Sequence, residues 1–403
     1  MKKILIFSLG YYPNLVGGAE VAIKEITDRI DPNEIEFDMV CLRFDRDLPL
    51  VEKIGNVTVY RIGFTANKPT MADIKKMPLH LNKLLFQFLA AWKAHQLHKK
   101  NHYDGTWAMM AHSCGVPAAI FKMLHPRVRY LLTLQEGDPP EYIQKKMRPL
   151  YPLFVRAFTY ADFVQTISTF LASWARRMGY KGPLEVVPNA VNTKHFSQTY
   201  PDAELSALKE KLGKKNDDVY IITTSRLVKK NAIDDVIKSL TLLPERFKFI
   251  VLGIGPDEEM LRALAQKNGV AERVMFLGRV DHKEMPKYLH ISDIFTRPSL
   301  SEGMGNSFVE AMAAGLPVVA TQEGGIADFL FDPDRNPDKE PTGLAVSPCD
   351  PAGLARQFKR FSEDSVLRAK IVENARALVF EKYDWDIIAK DMQKKVFSPL
   401  FGV

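Results

Sequence analysis

The feature that most constrains the fold of this chain is an alternation of strand-like and helix-like segments, which occurs in both halves of the sequence. Short apolar runs are each followed by a turn and then by a segment with helical spacing. This pattern predicts α/β architecture, with parallel sheets covered by helices on both faces. Because 403 residues exceed one ordinary core, we expect two domains of about 150 to 200 residues each.

The predicted elements can be placed by residue number. The predicted strands are 3–9, 37–42, 57–62, 105–110, 130–134, 163–167, 219–224, 247–252, 274–276, 291–297 and 317–321, and the main predicted helices are 19–29, 232–242, 257–268, 285–290 and 306–314. The segment 184–201 contains two prolines and interrupts the alternation, so we predict the hinge there. The predicted domains are therefore 1–190 and 191–381, and a charged tail of one or two helices follows.

The most informative motif is the segment 299–310, SLSEGMGNSFVE. We place Glu302 in a loop at the carboxyl end of a strand and Glu310 in the next helix, with Asn306 as the N-cap. Ligands of open α/β sheets bind at that edge, and a carboxylate accepts hydrogen bonds from neighbouring sugar hydroxyls. Gly303 and Gly305 would let backbone N–H groups approach an anionic ligand. The alternative is a surface turn in which Glu310 only favours the start of the helix.

Basic and glycine-containing turns follow other predicted strands. Arg226 and Lys230 could neutralise a departing diphosphate or simply form a solvated basic loop. Gly17 and Gly18 open the first helix, which suits either phosphate approach or ordinary turn chemistry. His112 follows a predicted strand, and a lone histidine is more often structural. We found no nucleophile elbow and no spacing of metal ligands, so we predict no metal site.

The net charge is uneven along the chain. Residues 1–190 carry 25 basic and 17 acidic residues, whereas residues 191–403 carry 30 and 31. In the basic half, six apolar residues recur at helical spacing beside four lysines, namely Leu81, Leu84, Leu85, Phe88, Leu89 and Trp92 beside Lys75, Lys76, Lys83 and Lys93. This segment is predicted either to contact an anionic membrane surface or to be an ordinary helix whose apolar stripe faces the core.

Other features bear on location. Cys41, Cys114 and Cys349 are widely spaced, which fits a reducing compartment without a disulfide framework. The N-terminus imitates a signal peptide, but its apolar stretch is short and lacks a cleavage site, so we predict a first buried strand. No apolar run reaches the length needed to span a bilayer. We expect a cytoplasmic protein, and a peripheral position on the inner face of the plasma membrane stays open.

Together these motifs resemble glycosyltransferase family 4, a group of retaining nucleotide-sugar transferases with the GT-B fold of two Rossmann-like domains. The family signature of two glutamates separated by seven residues corresponds to Glu302 and Glu310. Further segments match in order along most of the chain, namely GGAE at 17–20, VVPNAVNTKHF at 186–196, SRLV at 225–228 and VMFLGRV at 274–280. The C-terminal segment YDWDIIAKDM resembles the helix that returns to the first domain, so we expect residues 382–403 to complete it.

The resemblance implies a role for each candidate residue. Glu310 would bind the ribose, Glu302 the transferred hexose, and Arg226 with Lys230 the diphosphate. The remaining implied contacts are His112 with a hydroxyl of the donor sugar, Arg279 and Val280 beside the base, and Gly17, Gly18, Gly303, Met304, Gly305 and Asn306 around the sugar and phosphates. The chain departs from the family where a lysine and a glycine are usual, since it has Asn231 and Ala232 there. Whether Lys230 replaces that lysine stays open.

These expectations define a reaction. We predict transfer of a hexosyl group, with retention, from a nucleoside diphosphate sugar (UDP-sugar by default) to a hydroxyl of a glycan, lipid-linked or cell-surface polysaccharide acceptor. Neither a metal nor a further cofactor is expected, and no nucleic acid is expected as a partner. The alternatives are a sugar-nucleotide epimerase, a phosphorylase and, outside enzymes, a two-lobed ligand-binding protein. A dinucleotide oxidoreductase fits less well because the glycine fingerprint at Gly253 and Gly255 is incomplete.

Overall fold

The computed structural model describes residues 1–14, 16–70 and 73–403. It divides into two compact units, one comprising Met1–Asn189 with Trp385–Val403 and the other Ala190–Asp384. Each unit is built on one sheet, and the two sheets have eight and six strands. The predicted α/β class with two sheet-based domains is confirmed.

The first unit contains an eight-stranded sheet in the order β3-β4-β2-β1-β5-β6-β7-β8. Its strands are β1 Lys2–Phe7, β2 Ile35–Leu42, β3 Val51–Ile54, β4 Val57–Ile62, β5 Gly105–Met109, β6 Arg129–Leu134, β7 Phe163–Thr166 and β8 Leu184–Val186. Its helices are α1 Gly18–Thr27, α2 Asn82–Asn101, α3 Val116–Leu124, α4 Pro140–Lys146, α5 Tyr151–Thr159 and α6 Thr169–Arg177. Only the β3–β4 pair is antiparallel among these strand pairs of the described chain.

The second unit contains a parallel sheet in the order β11-β10-β9-β12-β13-β14. Its strands are β9 Val219–Thr224, β10 Phe247–Leu252, β11 Val274–Gly278, β12 Ile294–Arg297, β13 Val318–Ala320 and β14 Leu344–Ala345. Its helices are α7 Thr193–Phe196, α8 Asp202–Lys211, α9 Ile233–Ser239, α10 Glu258–Lys267, α11 Met285–His290, α12 Asn306–Ala313, α13 Pro351–Glu363 and α14 Ser365–Lys382. The chain then returns to the first unit with α15 Trp385–Asp391 and α16 Ser398–Phe401.

The core of the first unit forms around strands that are covered on both faces. Residues 4–7 of β1 are fully buried, as expected for a central parallel strand. The C-terminal segment completes this core. The centroid of the Phe397 ring lies 5.3 Å from the centroid of the Trp107 ring. Phe401 packs directly on Gly105, where an added Cβ would lie 2.1 Å from the ring. The absence of a side chain at Gly105 therefore allows the C-terminal segment to pack against β5.

Strand order creates one crevice in each sheet. The order of connection reverses between β1 and β5 in the first unit and between β9 and β12 in the second. Loops that leave neighbouring strands there diverge to opposite faces, and the carboxyl ends of the strands border the resulting gap. The fold therefore defines a binding edge on each sheet.

The structure corrects several predicted elements. β3 was missed because its side chains alternate between exposed and half-buried and give no apolar run. β8 occupies the start of the predicted hinge, so the hinge prediction is wrong for Leu184–Val186, which pair with β7. In contrast, β4, β9, β10 and α11 have the predicted bounds.

Helix α2 resolves the two interpretations of the basic apolar segment. Its buried face consists mainly of Phe86, Ala90, Ala91, Ala94 and Leu97. Leu84, Phe88 and Trp92 lie on the exposed side, with 55%, 47% and 60% of their surface accessible. The interpretation in which the stripe faces the core is therefore wrong for these three residues, whereas Leu81 and Leu85 of the same predicted stripe are half-buried. In the described ranges, no helix has both the length and the apolar character needed to cross a bilayer.

Candidate functional site

The candidate residues of the second unit follow the carboxyl ends of its strands. Arg226 and Lys230 come after β9, Arg279 and Val280 after β11, and the segment 299–310 after β12. Because the sheet is parallel, all these turns emerge at one edge. Arg279 is exposed and Val280 half-buried, and β11 is the outermost strand on its side, three positions from β12.

Glu302 is held by a buried arginine that the sequence reasoning missed. Nη2 of Arg297 lies 3.1 Å from Oε2 of Glu302, and these side chains are only 10% and 13% exposed. The guanidinium carbon of Arg297 lies 4.5 Å from the centroid of the Phe308 ring in α12. Arg297 therefore connects the end of β12, the loop and the helix. In the sequence, Arg297 was marked only as the single arginine at the end of an apolar predicted strand.

Glycine shapes the start of α12. Gly305, with φ of +91°, is the N-cap, and the prediction that Asn306 caps the helix is wrong because Asn306 is its first residue. A Cβ at Gly305 would lie 2.6 Å from Nη2 of Arg297 and from Phe308. Met304 is buried, and its 1% exposure includes its backbone atoms. Gly303 is also buried, whereas Asn306 is half-buried.

Backbone hydrogen bonds join three consecutive loops of this edge. The Leu300 N–H donates to the Lys230 carbonyl at 2.7 Å, and the Gly325 N–H donates to the Glu302 carbonyl at 3.0 Å. A Cβ at Gly324 would lie 2.1 Å from that same carbonyl oxygen. Glu302 and Lys230 thus belong to one connected group of loops, although no contact between their side chains is involved.

The loop after β9 explains the departure from the family pattern. Asn231 is buried, and its Nδ2 donates to the Arg226 carbonyl at 2.6 Å, which makes it a structural residue. Ala232 has φ of +50°, a left-handed conformation that favours glycine. This left-handed conformation is a physical reason for the glycine that the resemblance predicts at position 232. Arg226 is exposed and Lys230 half-buried.

Gly253 and Gly255 have a packing role. An added Cβ would lie 1.8 Å from the Ser225 carbonyl oxygen at Gly253, and 2.1 Å from that of Leu227 at Gly255. These glycines allow the turn after β10 to pack on the turn that carries Arg226. The dinucleotide fingerprint is therefore not needed to explain them.

Glu310 lies beside an exposed imidazole. It is the fifth residue of α12, and no acidic residue occupies the first turn, so the interpretation of Glu310 as a first-turn dipole residue is wrong. Nε2 of His282 is 3.4 Å from Oε1 of Glu310. The His282 ring stacks on His195 at 5.6 Å between centroids. Sequence reasoning missed both histidines because their segments are far apart along the chain.

In the first unit, Glu136 fixes the position of His112. The fully buried Glu136 carboxylate accepts a hydrogen bond from the Ala111 N–H at 2.6 Å. The same oxygen lies 3.4 Å from both the backbone nitrogen and Nδ1 of His112. Met110 has φ of +69°, which turns the chain sharply after β5. Glu136 thus orients His112.

Gly17 and Gly18 lie at the start of α1 in the same unit. The Gly17 N–H donates to the Glu20 carboxylate at 2.8 Å, and burial raises the pKa of this carboxyl. No described atom lies within 4 Å of a Cβ added at Gly18, so the space around it is open. His112, Gly17 and Gly18 therefore border the crevice of the first sheet, whereas the other candidates belong to the second.

No cluster of three or more potential metal ligands is found within the described residues.

Two family models match the chain. "Glycosyltransferase Family 4" matches residues 16–195 and "Glycosyl transferases group 1" matches residues 206–378. An uncharacterized glycosyltransferase of Methanocaldococcus jannaschii is 26% identical over 96% of both chains. A GDP-mannose-dependent monoacylated alpha-(1-6)-phosphatidylinositol monomannoside mannosyltransferase of Corynebacterium glutamicum is 29% identical over 58% of this chain and 61% of that protein.

A solved structure supports the same fold. HepE of Anabaena, in complex with UDP-glucose, aligns with a TM-score of 0.76 and 21% identity over 99% of this chain and 100% of the other. The two family models together cover most of the two halves of the chain. The chain belongs to the GT-B glycosyltransferases of group 1 and family 4, which use nucleotide sugars.

Proposed function

We propose that this glycosyltransferase moves a hexosyl group from a nucleoside diphosphate sugar to a hydroxyl with retention of configuration. The observation that carries the proposal is the Glu302–Arg297 pair, fixed in a loop that is hydrogen-bonded to the loop of Lys230. In this assignment Glu302 accepts hydrogen bonds from the hexose and Glu310 from the ribose. Arg226 and Lys230 stabilise the charge that develops on the diphosphate.

The proposed chemistry needs positioning rather than a protein nucleophile. The departing phosphate accepts the proton of the acceptor hydroxyl on the face where the new bond forms. His112, oriented by Glu136, would donate to or accept from a hydroxyl of the donor sugar. With cations supplied by side chains, we propose that no divalent metal is required, and activity in excess chelator tests this point.

The donor nucleotide is proposed to be UDP, with GDP as the alternative. UDP-glucose is bound in the HepE complex, whereas the corynebacterial relative is described as GDP-mannose-dependent. The base would lie beside Arg279 and Val280, near the His282 that contacts Glu310. Thermal stabilisation by UDP, GDP and their sugars, measured with the full chain, ranks the donors. If no nucleotide stabilises the protein, the proposed donor site is wrong.

Product analysis separates the proposal from the other enzymes considered. A transferase forms a new glycosidic bond only with an acceptor, an epimerase changes the sugar nucleotide without one, and a phosphorylase needs inorganic phosphate. Arg226→Ala is expected to lower kcat more than it raises the donor Kd, because the guanidinium acts on the leaving group. Unchanged kinetics in this variant and in Glu310→Ala would remove the assignment of the site.

The acceptor is proposed to be a glycan or lipid-linked hydroxyl, used in surface polysaccharide or glycolipid synthesis at an anionic membrane. The exposed stripe of α2, its flanking lysines and the charge of +8 on residues 1–190 support this proposal. The corynebacterial relative is named for a lipid acceptor, a phosphatidylinositol mannoside. Co-sedimentation with phosphatidylglycerol vesicles at low and high salt is the test, and failure to bind at low salt contradicts it.

A further inference from the structure

Two histidines from separate segments of the second unit meet beside Glu310. His282 follows β11, and His195 lies in α7, which packs against the helix α12 that carries Glu310. Nε2 of His282 is 3.4 Å from Oε1 of Glu310, whose side chain is only 16% exposed. The carboxylate that is proposed to bind the ribose thus has a protein neighbour, which another loop contributes.

The ring of His282 is held in place although it is largely exposed. Its side chain is 61% exposed, yet the ring stacks on that of His195, with 5.6 Å between centroids and 23° between planes. The ring of the fully buried Phe196 meets it at 5.1 Å and 77°. A stacked neighbour and an edge-on neighbour together restrict rotation of the imidazole, so its Nε2 stays on the side of Glu310.

His195 is held in one protonation state by its own hydrogen bonds. Its Nε2 is 3.1 Å from the His282 carbonyl oxygen, which can only accept, so Nε2 carries a proton. Its Nδ1 is 3.2 Å from Nε2 of Gln198, which can only donate, so Nδ1 carries none. Nε2 of Gln198 is also 2.6 Å from the Tyr200 hydroxyl oxygen. A neutral His195 therefore ties the backbone of His282 to the segment 195–200.

The contact between His282 and Glu310 determines how the carboxylate is oriented. An ionised carboxylate can only accept, so Nε2 of His282 carries the proton that faces it. This hydrogen bond occupies one lone pair of Oε1 and fixes the rotation of the carboxylate about its last single bond. Oε2 and the second lone pair of Oε1 are then left for two neighbouring ribose hydroxyls. Because 3.4 Å is long for a hydrogen bond, the contribution of His282 should be smaller than that of Glu310 itself.

We propose that His282 is a positioning residue, which orients the Glu310 carboxylate for the ribose of the donor, and that His195 in turn holds His282. This inference rests on the proposed function, in which Glu310 binds the ribose. A positioning role has a specific consequence, because it affects only ligands whose ribose hydroxyls reach Glu310. Loss of a merely structural or electrostatic role would instead weaken all nucleotides of the same charge to the same extent.

The test compares UDP with 2′-deoxy-UDP by isothermal titration of the full chain. The two ligands have the same charge and base and differ by one ribose hydroxyl, so the ratio of their Kd values measures recognition of that hydroxyl. The wild-type chain should bind UDP at least about tenfold more tightly, and Glu310→Ala should bring the ratio close to one. If GDP binds more tightly than UDP, GDP and 2′-deoxy-GDP form the pair.

Three histidine variants separate the hydrogen bond from the ring. His282→Phe keeps the ring but has no N–H group, so the ratio should fall to about threefold. His282→Gln places an N–H group near the position of Nε2, so the ratio should stay within about twofold of the wild-type value. His195→Phe keeps the stacked ring but loses the bond to the His282 carbonyl, so the ratio should fall by less than in His282→Phe. An unchanged ratio in His195→Phe would overturn the role of His195.

Lys283→Gln is the matched control, because Lys283 is exposed and adjacent to His282 in the same loop. Its ratio should stay within about twofold of the wild-type value, since loss of its charge affects both ligands equally. A ratio that falls as far as in His282→Phe would indicate general disturbance of the loop and overturn the inference.

The failure of this inference can be told apart from the failure of the proposed function. If no nucleotide binds, if the wild-type ratio is close to one or if Glu310→Ala keeps the full ratio, the proposed ribose site is wrong and the inference falls with it. If Glu310→Ala loses the ratio while His282→Phe keeps it, only the positioning role of His282 is wrong.

Discussion

The two units share a parallel sheet with a crevice at its carboxyl edge, but they fix their candidate residues differently. In the second unit, Glu302 is tied to Arg297 by its side chain and to Gly325 by its backbone. In the first, Glu136 fixes His112, whereas Lys83 and Lys146, which line a cavity together with His112, are exposed. The difference is what we expect if, as proposed, the second unit holds the donor at a preorganised edge and the first unit holds the acceptor at a more adaptable one.

The largest effect is expected at Arg297. Arg297→Met should lower the free energy of unfolding by about 3 kcal/mol, because it leaves the nearly buried Glu302 carboxylate without its partner. The double variant Arg297→Met, Glu302→Leu should recover most of this loss, since it buries no charge. Urea unfolding of the double variant and of the single variants Arg297→Met and Glu302→Leu is the measurement. If the double variant loses as much free energy of unfolding as the two single variants lose together, Arg297 and Glu302 do not act as a pair.

The next effect concerns nucleotide affinity. Glu310→Ala should weaken UDP binding by about 1.5 to 3 kcal/mol, because hydrogen bonds from the ribose to a charged group are lost. His282→Ala should weaken it less, since His282 is 61% exposed and acts beside Glu310. Isothermal titration with UDP measures both. A His282 effect larger than the Glu310 effect would reverse the proposed roles.

An acid-dependent loss of stability is expected in the first unit. Burial and the neighbouring imidazoles, His95 and His102 among them, lower the pKa of His98 below 6.5, and burial and His95 with Lys99 do the same for His125. The unfolded chain binds these protons more readily, so the contribution is full above about pH 6.5 and is lost as the pH falls through the folded pKa values. The Tm should therefore fall on acidification.

The double variant His98→Gln, His125→Gln separates this effect from general acid unfolding. Its Tm should fall about 3 °C less than that of the wild-type chain between pH 7.5 and pH 5.5. His290 in the second unit also has a pKa lowered by burial, so His290→Gln serves as the comparison. A first-unit variant as acid-sensitive as the wild type would show that this cluster is not responsible.

The smallest effect is expected at Ala232. Ala232→Gly should raise the free energy of unfolding by about 0.5 to 1 kcal/mol, because it removes the cost of a left-handed conformation and this gain exceeds the entropy cost of glycine. Ala207→Gly, at an exposed position within α8, should instead lower it by up to about 1 kcal/mol. Thermal melts of the two variants are compared, and a shared sign would contradict the backbone explanation.

The sequence predicted the fold class and most of the strands because those depend on local periodicity. β9 and β10 had the right bounds, since each is a short apolar run between turns. β3 gave no such run, and the start of the predicted hinge proved to be β8, whose pairing with β7 is a nonlocal contact. The N-cap of α12 was misplaced by one residue because Gly305 takes a conformation that the sequence does not show.

The spacing of Glu302 and Glu310, and their places in a loop and the following helix, were determined by the sequence alone, because all twelve residues of the segment 299–310 are contiguous. Only the tertiary structure decided that Arg297 neutralises Glu302, that His282 lies beside Glu310 and that the apolar stripe of α2 is exposed. The cavity that His112 lines in the first unit likewise joins Leu9, the segment 80–87 and the segment 146–150, which are far apart along the chain. Contacts of this kind depend on how elements pack, and the periodicity of a single segment carries no information about its neighbours in space.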